Sequence, residues 1–248
     1  LHTHFQIDAD GEYLALVQAD GLIVAHDYAD PFPRQRTNIS YGIDPADPFA
    51  GPYYYTTPTP GSGHGTGLLG IVNEPTLNLE HGFYVGIQPL TLATDMPGAT
   101  IRYTTDGSAP TVTHGSIYSQ SLALRSTIAF RAVAYAENYL PSDIVTQTYI
   151  FPHAVLQQSV TGLPPLGWPA GPINGQLLDY GMDQTVVSGQ SEAVIESLLS
   201  IPTISLAMDI DNLMDPTTGI FVNAEYRGIE WERPVSVELI EPDGGSGF

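Results

Sequence analysis

The sequence predicts a mainly β protein, with antiparallel β-sandwich modules in tandem and a small α/β segment at the C-terminal end. Three observations lead there. Apolar and polar residues alternate at 100–105 and again at 127–136, the period of strands with one buried face. Turn formers separate such runs throughout, with 25 Gly and 21 Pro in 248 residues. A hydrophobic fraction of 42% is enough for ordinary cores at a length that fits one or two domains.

The first segment, 1–60, opens with hairpin grammar. Asp10-Gly11 and Asp20-Gly21 supply the backbone that tight turns require, and Tyr13-Leu-Ala-Leu-Val17 and Leu22-Ile-Val24 flank the second turn. The run from Leu1 to Gly21, followed by Pro33-Arg-Gln-Arg36, Ser40-Tyr-Gly42 and a Thr-Pro-Thr-Pro-Gly ending at Gly61, resembles the second half of a bacterial lamin-tail-like domain. That resemblance implies a partial sandwich with an open edge and an uncovered apolar face, ready to pair with another chain. Because Leu1 stands inside what reads as strand sequence, a mature or excised piece of a longer protein is expected. Residues 61–70, with their Gly-Ser-Gly-His-Gly-Thr-Gly run, read as a linker by composition.

The second segment, 71–151, places Ile101, Tyr103, Phe130, Ala132 and Ala134 inward between two antiparallel sheets. The order Phe83-Tyr-Val85, Ile101-Arg-Tyr-Thr-Thr-Asp-Gly-Ser-Ala-Pro110, Ile117-Tyr118 and the strand-rich stretch 130–151 resembles the Ig-like module at the C-terminus of chitobiases and β-hexosaminidases. The resemblance implies an extracellular accessory domain without catalytic residues. Asp106-Gly107 is expected to cap a hairpin. A sugar-binding role for that loop is the alternative, although turn chemistry alone accounts for its residues.

A Pro- and Gly-rich connector holding Trp168 occupies 152–180, and the last segment covers 181–248. Ser188 is the expected N-cap of a helix running to about Ser200, with Val194, Ile195, Leu198 and Leu199 on one face and Pro202 as the stop. Strands are expected at 204–208, 219–223 and 235–240. The strings Ile201-Pro-Thr-Ile-Ser-Leu-Ala-Met-Asp209, Thr218-Gly-Ile-Phe-Val-Asn223 and Gly228-Ile-Glu-Trp-Glu-Arg-Pro-Val-Ser-Val-Glu-Leu239 resemble the N-terminal part of a CotH-type domain. CotH proteins are spore-coat and surface proteins with an atypical protein-kinase fold.

Charge removes several classes of function. Acidic residues number 27 and basic ones 7, all of them Arg, for a formal charge of −20. Such a chain repels nucleic acid and anionic membrane surfaces, both of which are bound through Lys and Arg. No apolar run reaches the roughly twenty residues needed to span a bilayer. With no Cys there is no thiolate nucleophile, disulfide or cysteine-ligated zinc. Phosphoryl transfer needs a Lys on the nucleotide phosphates, and the chain has none. The catalytic residues that the CotH resemblance implies fall beyond Phe248, so no catalytic residue is assigned and kinase activity is not expected of this chain alone. The glycines of 61–67 lack the Lys and the strand-to-helix setting of a phosphate loop.

Two groups of candidate site residues stand out. Asp209, Asp211 and Asp215, with Asn212 between them, offer oxygen ligands to calcium, although their spacing does not fit a twelve-residue EF-hand loop and a solvated acidic turn is the preferred reading of them. Asp8, Asp10 and Glu12 pose the same question, and His2 and His4, alternating on a strand, could share a metal. Tyr53, Tyr54, Tyr55 and Trp168 read as loop aromatics, either sugar platforms and interface anchors or pins that hold a linker down. The function expected is a structural or adhesive fragment of a secreted or cell-surface modular protein. Its partner is a second copy or the remainder of a longer precursor, which supplies the missing strands. Two alternatives stay open: a portion of an atypical CotH-like kinase, and an accessory module that binds polysaccharide.

Overall fold

A computed structural model describes residues 7–28, 30–44, 46, 47, 49–244, 247 and 248. His2 and His4 lie outside the described residues. The chain divides into two compact units, Leu1–Ile71 with Glu137–Leu140, and Val72–Ala136 with Pro141–Phe248. The fold is mainly β, of β-sandwich type, with few and short helices.

In the first unit, β1 (Ala15–Val17) and β2 (Val24–Asp27) form an antiparallel hairpin with an irregularity between Leu16 and Val17. Its turn is the one the sequence predicts. Asp20 Oδ1 accepts the N–H groups of Leu22 at 2.9 Å and Ile23 at 3.3 Å, and Gly21 takes φ 72°, a conformation glycine adopts without strain. The strands β3 (Ser40–Ile43) and β4 (Pro52–Tyr55) pair antiparallel, with Tyr41 opposite Tyr54. Aromatic rings make this core: Phe32 packs edge-on to Tyr28 at 5.1 Å and to Tyr41 at 5.3 Å, and Tyr41 leans on Tyr54 at 4.7 Å. Within 61–70, the stretch expected as a linker, His64, Gly67 and Leu68 lie against β4. Leu68 exchanges both backbone hydrogen bonds with Tyr54, and Gly67 sits so close to Tyr53 that a Cβ there would stand 2.5 Å from the Tyr53 Cβ.

In the second unit, the leading strands are β5 (Thr76–Leu77), β6 (Gly82–Phe83), β7 (Gln88–Leu90), β8 (Leu92–Ala93), β9 (Thr100–Thr104), β10 (Ser116–Ile117), β11 (Leu122–Leu124), β12 (Ile128–Tyr135) and β13 (Val145–Ile150). Five of them form one sheet in the order β10-β9-β12-β13-β6, antiparallel except for the parallel β13–β6 pair. Pairs β11–β7 and β5–β8 are separate ladders. The expected inward residues Ile101, Phe130, Ala132 and Ala134 are buried, Tyr103 is half-buried and stacks on Phe130 at 5.4 Å, and Leu90, Leu92 and Leu124 are buried with them. Asp106-Gly107 does not cap a tight hairpin. It opens the longer connection 105–115 between β9 and β10, where the Asp106 carboxylate accepts from the Ser108 N–H and hydroxyl.

After β13 come α1 (Pro152–Val155), α2 (Gln184–Val187), α3 (Ser191–Leu198), β14 (Thr203–Ala207), α4 (Ile210–Met214) and β15 (Ser236–Ile240). Two expectations are corrected here. Ser188 is not an N-cap: its N–H already closes the last turn of α2, whose own cap is Asp183, accepting from the Thr185 N–H at 2.8 Å. Helix α3 starts later, without a side-chain cap, and is held by packing of Ile195 with Leu156 and Val187. Residues 219–223 are turns rather than a strand. Most of their amides are already spent on the preceding turns, Gly219 N–H on Asp215 O, Ile220 N–H on Asn212 O, Phe221 N–H on Leu213 O and Asn223 N–H on Gly219 O, which leaves too few for a ladder. Gly219 is wedged into this turn, where an added Cβ would meet Asp215 N at 2.5 Å and Leu213 O at 2.6 Å. Those are backbone atoms that cannot swing aside, so Gly219→Ala is expected to cost about 2 kcal/mol. A urea midpoint unchanged from wild type would contradict this packing.

Candidate functional site

The hairpin β1–β2 leaves its apolar side chains in water. Leu16 is 68% exposed and Leu22 86%, with Val17, Ile23 and Val24 also exposed. Soluble proteins seldom leave contiguous apolar surface open without a partner for it, and a two-stranded sheet alone is marginal in water.

The hairpin β14–β15 is built the other way round. Alternation along Ile204-Ser-Leu206 and Val237-Glu-Leu239 leads one to expect the apolar residues inside, yet Ile204 (66%) and Leu206 (64%) are exposed while Glu238 is only 5% exposed. The buried polar side lies against β13. Glu238 Oε1 accepts from the Thr148 N–H and from His81 Nδ1, each at 3.0 Å, and Oε2 accepts from the Thr148 hydroxyl at 2.5 Å. Since the Thr148 proton points to Glu238, the Ser205 hydroxyl 2.6 Å away donates to Thr148 Oγ1. Ser236 adds a bond to Thr146 at 2.8 Å. Burial first, then the neighbouring Tyr84 and Glu238, push the adjoining Tyr149 phenol well above its ordinary value. This arrangement is a structural seam: each donor and acceptor named is paired, and no nucleophile stands at a free hydrogen-bonding position.

The three candidate calcium ligands have separate employments. Asp209 Oδ1 accepts the Ala109 N–H at 2.6 Å, fastening the 105–115 connection. Asp215 Oδ1 accepts from the Thr217 and Thr218 N–H groups, each at 2.8 Å, and from the Thr218 hydroxyl; the Thr218 N–H is the largest cause holding its carboxyl below the usual range. Asp211 sits in the first turn of α4. Among the described residues no group of three or more His, Asp or Glu side chains is placed to hold a metal ion. Asp8 and Glu12 are likewise engaged by backbone N–H groups, and Asp10 lies 3.8 Å from Arg34.

The aromatic candidates change character. Tyr53, Tyr54 and Tyr55 are on β4 and not in a loop, and Tyr54 and Tyr55 are core residues. The loop reading fails because Tyr41, Leu68 and His64 close over them. Trp168 is in a loop, half-buried, its ring edge-on to Tyr180 at 5.9 Å, while the Tyr180 hydroxyl donates to Pro169 O at 2.8 Å. That geometry pins the connector. Sequence reasoning missed a different aromatic site. The strings 218–223 and 228–239 meet in a cavity of about 350 Å³ lined by Leu213, Phe221, Tyr226 and Trp231. Tyr226 stacks on Trp231 at 4.9 Å, and the Arg233 guanidinium lies 5.7 Å from the same ring. The signal available was the Tyr and Trp five positions apart with Gly228, at φ 117°, turning the chain between them.

One further recess is electrostatically distinct. A groove of about 280 Å³ is lined by Tyr84, Val85, Ile87, Arg125, Phe151 and His153, with no Asp or Glu among its lining residues. Arg125 is exposed and has no ion-pair or hydrogen-bond partner among the described residues.

Residues 90–149 match the sequence model of the family described as Fn3 associated. The match runs from β7 to β13, inside the module expected at 71–151, and makes this stretch similar to a fibronectin-like, Ig-type module. No curated protein and no solved structure matches the chain. Among the described residues no helix is long and apolar enough to cross a membrane.

Proposed function

We propose that this chain is a non-catalytic structural or adhesive part of a secreted or cell-surface modular protein, working as a subunit of an extracellular assembly. Its organisation in this reading is a partial lamin-tail-like domain at 1–60, a linker at 61–70, a chitobiase-type Ig-like module at 71–151, a connector at 152–180 and the N-terminal part of a CotH-like domain at 181–248. The observation that carries the reading is the uncovered hairpin β1–β2. Five exposed apolar side chains on one small hairpin, with Val17 opposite Val24 across the ladder, are a liability for a monomer and a contact surface for a polymer. The Fn3-associated match supports a modular, non-catalytic setting. The absence of Lys speaks against a kinase role, and the packing of Trp168 on Tyr180 speaks against a sugar platform there.

Sedimentation velocity over a concentration series, with negative-stain electron microscopy of the same samples, tests this. The wild-type chain is expected to form ordered polymers and Leu22→Glu to disperse them. A wild-type chain that stays monomeric at every concentration would remove the reading.

A further inference from the structure

The self-association reading leaves open what receives the hairpin. A surface with 27 acidic and 7 basic residues repels its own copy, so a stable contact must bring carboxylates to a cation that is not already engaged. Arg102 and Arg131 donate to Gly115 O and Gly107 O, and Arg233 to the carbonyls of Glu230, Glu232 and Thr218. Arg125 and Arg227 are uncommitted, but Arg227 has Glu225 and Glu230 near it in the chain, whereas the neighbours of Arg125, Leu124, Ser126 and Thr127, are uncharged and it borders a groove whose walls, Val85 and Ile87, are apolar and exposed. At the tip of β1–β2 stand Leu22 and Ile23, both exposed, beside Asp20. Both turn hydrogen bonds go to Asp20 Oδ1, which leaves Oδ2 for a partner.

Resting on the self-association reading, we propose that the hairpin tip of one copy docks in the Arg125 groove of a second copy. Leu22 enters between Val85 and Ile87, and the Asp20 carboxylate meets Arg125. The groove volume of about 280 Å³ exceeds what one leucine side chain fills, leaving room for Ile23 at the rim. Because knob and groove are different surfaces and each copy offers one of each, the contact can repeat head to tail, as a filament where its rotation leaves the chain of copies open and as a ring where it closes.

The chain has no Cys, so introduced thiols report without background. Leu22→Cys and Ile87→Cys proteins are mixed under mild oxidation, a disulfide requiring Cα atoms within about 7 Å. Heterodimers well in excess of either homodimer are expected. Arg125→Glu, a change on an exposed side chain that makes no bond, is expected to weaken association roughly tenfold. If Leu22→Glu disperses the polymers while Arg125→Glu leaves them intact and the mixed thiols give no excess heterodimer, this docking is wrong and the assembly reading stands. Should Leu22→Glu leave polymers unchanged, the hairpin has no part in assembly and this docking falls, while a wild-type chain that never polymerises removes the assembly reading itself.

Discussion

Phe130→Ala is expected to destabilise the second unit by about 4 kcal/mol, the cost of emptying a phenylalanine site that neighbours refill only in part. Phe130 is wholly buried in the middle of β12. Its ring stacks on Tyr103 with planes 20° apart and lies 6.4 Å from Tyr149, so the substitution also removes two aromatic contacts. Its backbone remains paired through Gln147, which keeps the strand in register and confines the damage to the cavity. Guanidinium unfolding followed by near-ultraviolet circular dichroism, which reads the clustered tyrosines, measures it. A loss below about 1 kcal/mol would mean that the five-stranded sheet is not filled by this ring.

Glu238→Ala is expected to cost about 3 kcal/mol, for a different reason. The substitution removes an acceptor and strands donors: the buried Thr148 N–H and His81 Nδ1 lose their partner, while the Thr148 hydroxyl keeps only Ser205. Glu238→Gln keeps one carbonyl oxygen, and the Thr148 hydroxyl can rotate to accept from the new amide, so about 1 kcal/mol is expected there. The ordering of the two variants in urea midpoint is the test. Equal, small losses would mean that apolar contact, and not this carboxylate, holds β15 to β13.

What could be read beforehand follows the strength of each local signal. The sheet around Ile101 and Phe130 was legible because alternation, turns and burial all agree in β9 and β12. The same rule misleads at β15. There the alternation of Val237 and Leu239 with Ser236 and Glu238 has the right period but the wrong face, because the surface that receives it is the hydroxyl-lined side of β13 and not an apolar core. Residues 219–223 look like a strand from composition, yet Leu213 O and Asn212 O in the preceding helical turn capture their amides first. The tyrosines of β4 were lost among flanking Pro and Thr residues that read as loop. The Tyr226–Trp231 stack has no periodic signature at all, since it depends on how Gly228 folds the chain back.

The seam under β15 makes dependence between two parts of the chain one-directional. Thr146 and Thr148 sit on the face of β13 that a free-standing module would turn to water, and hydroxyls returned to water find new partners at little cost. The hairpin has no such retreat. Detached from β13, Glu238 and Ser205 would be solvated readily enough, but Ala207 and Ile240 would lose their cover and Ile204 and Leu206 would still face water, leaving a ribbon with apolar residues on both sides. The module is thus the template and the hairpin its dependent, so β14–β15 takes its ordered form only where the module's sheet is already present to receive it.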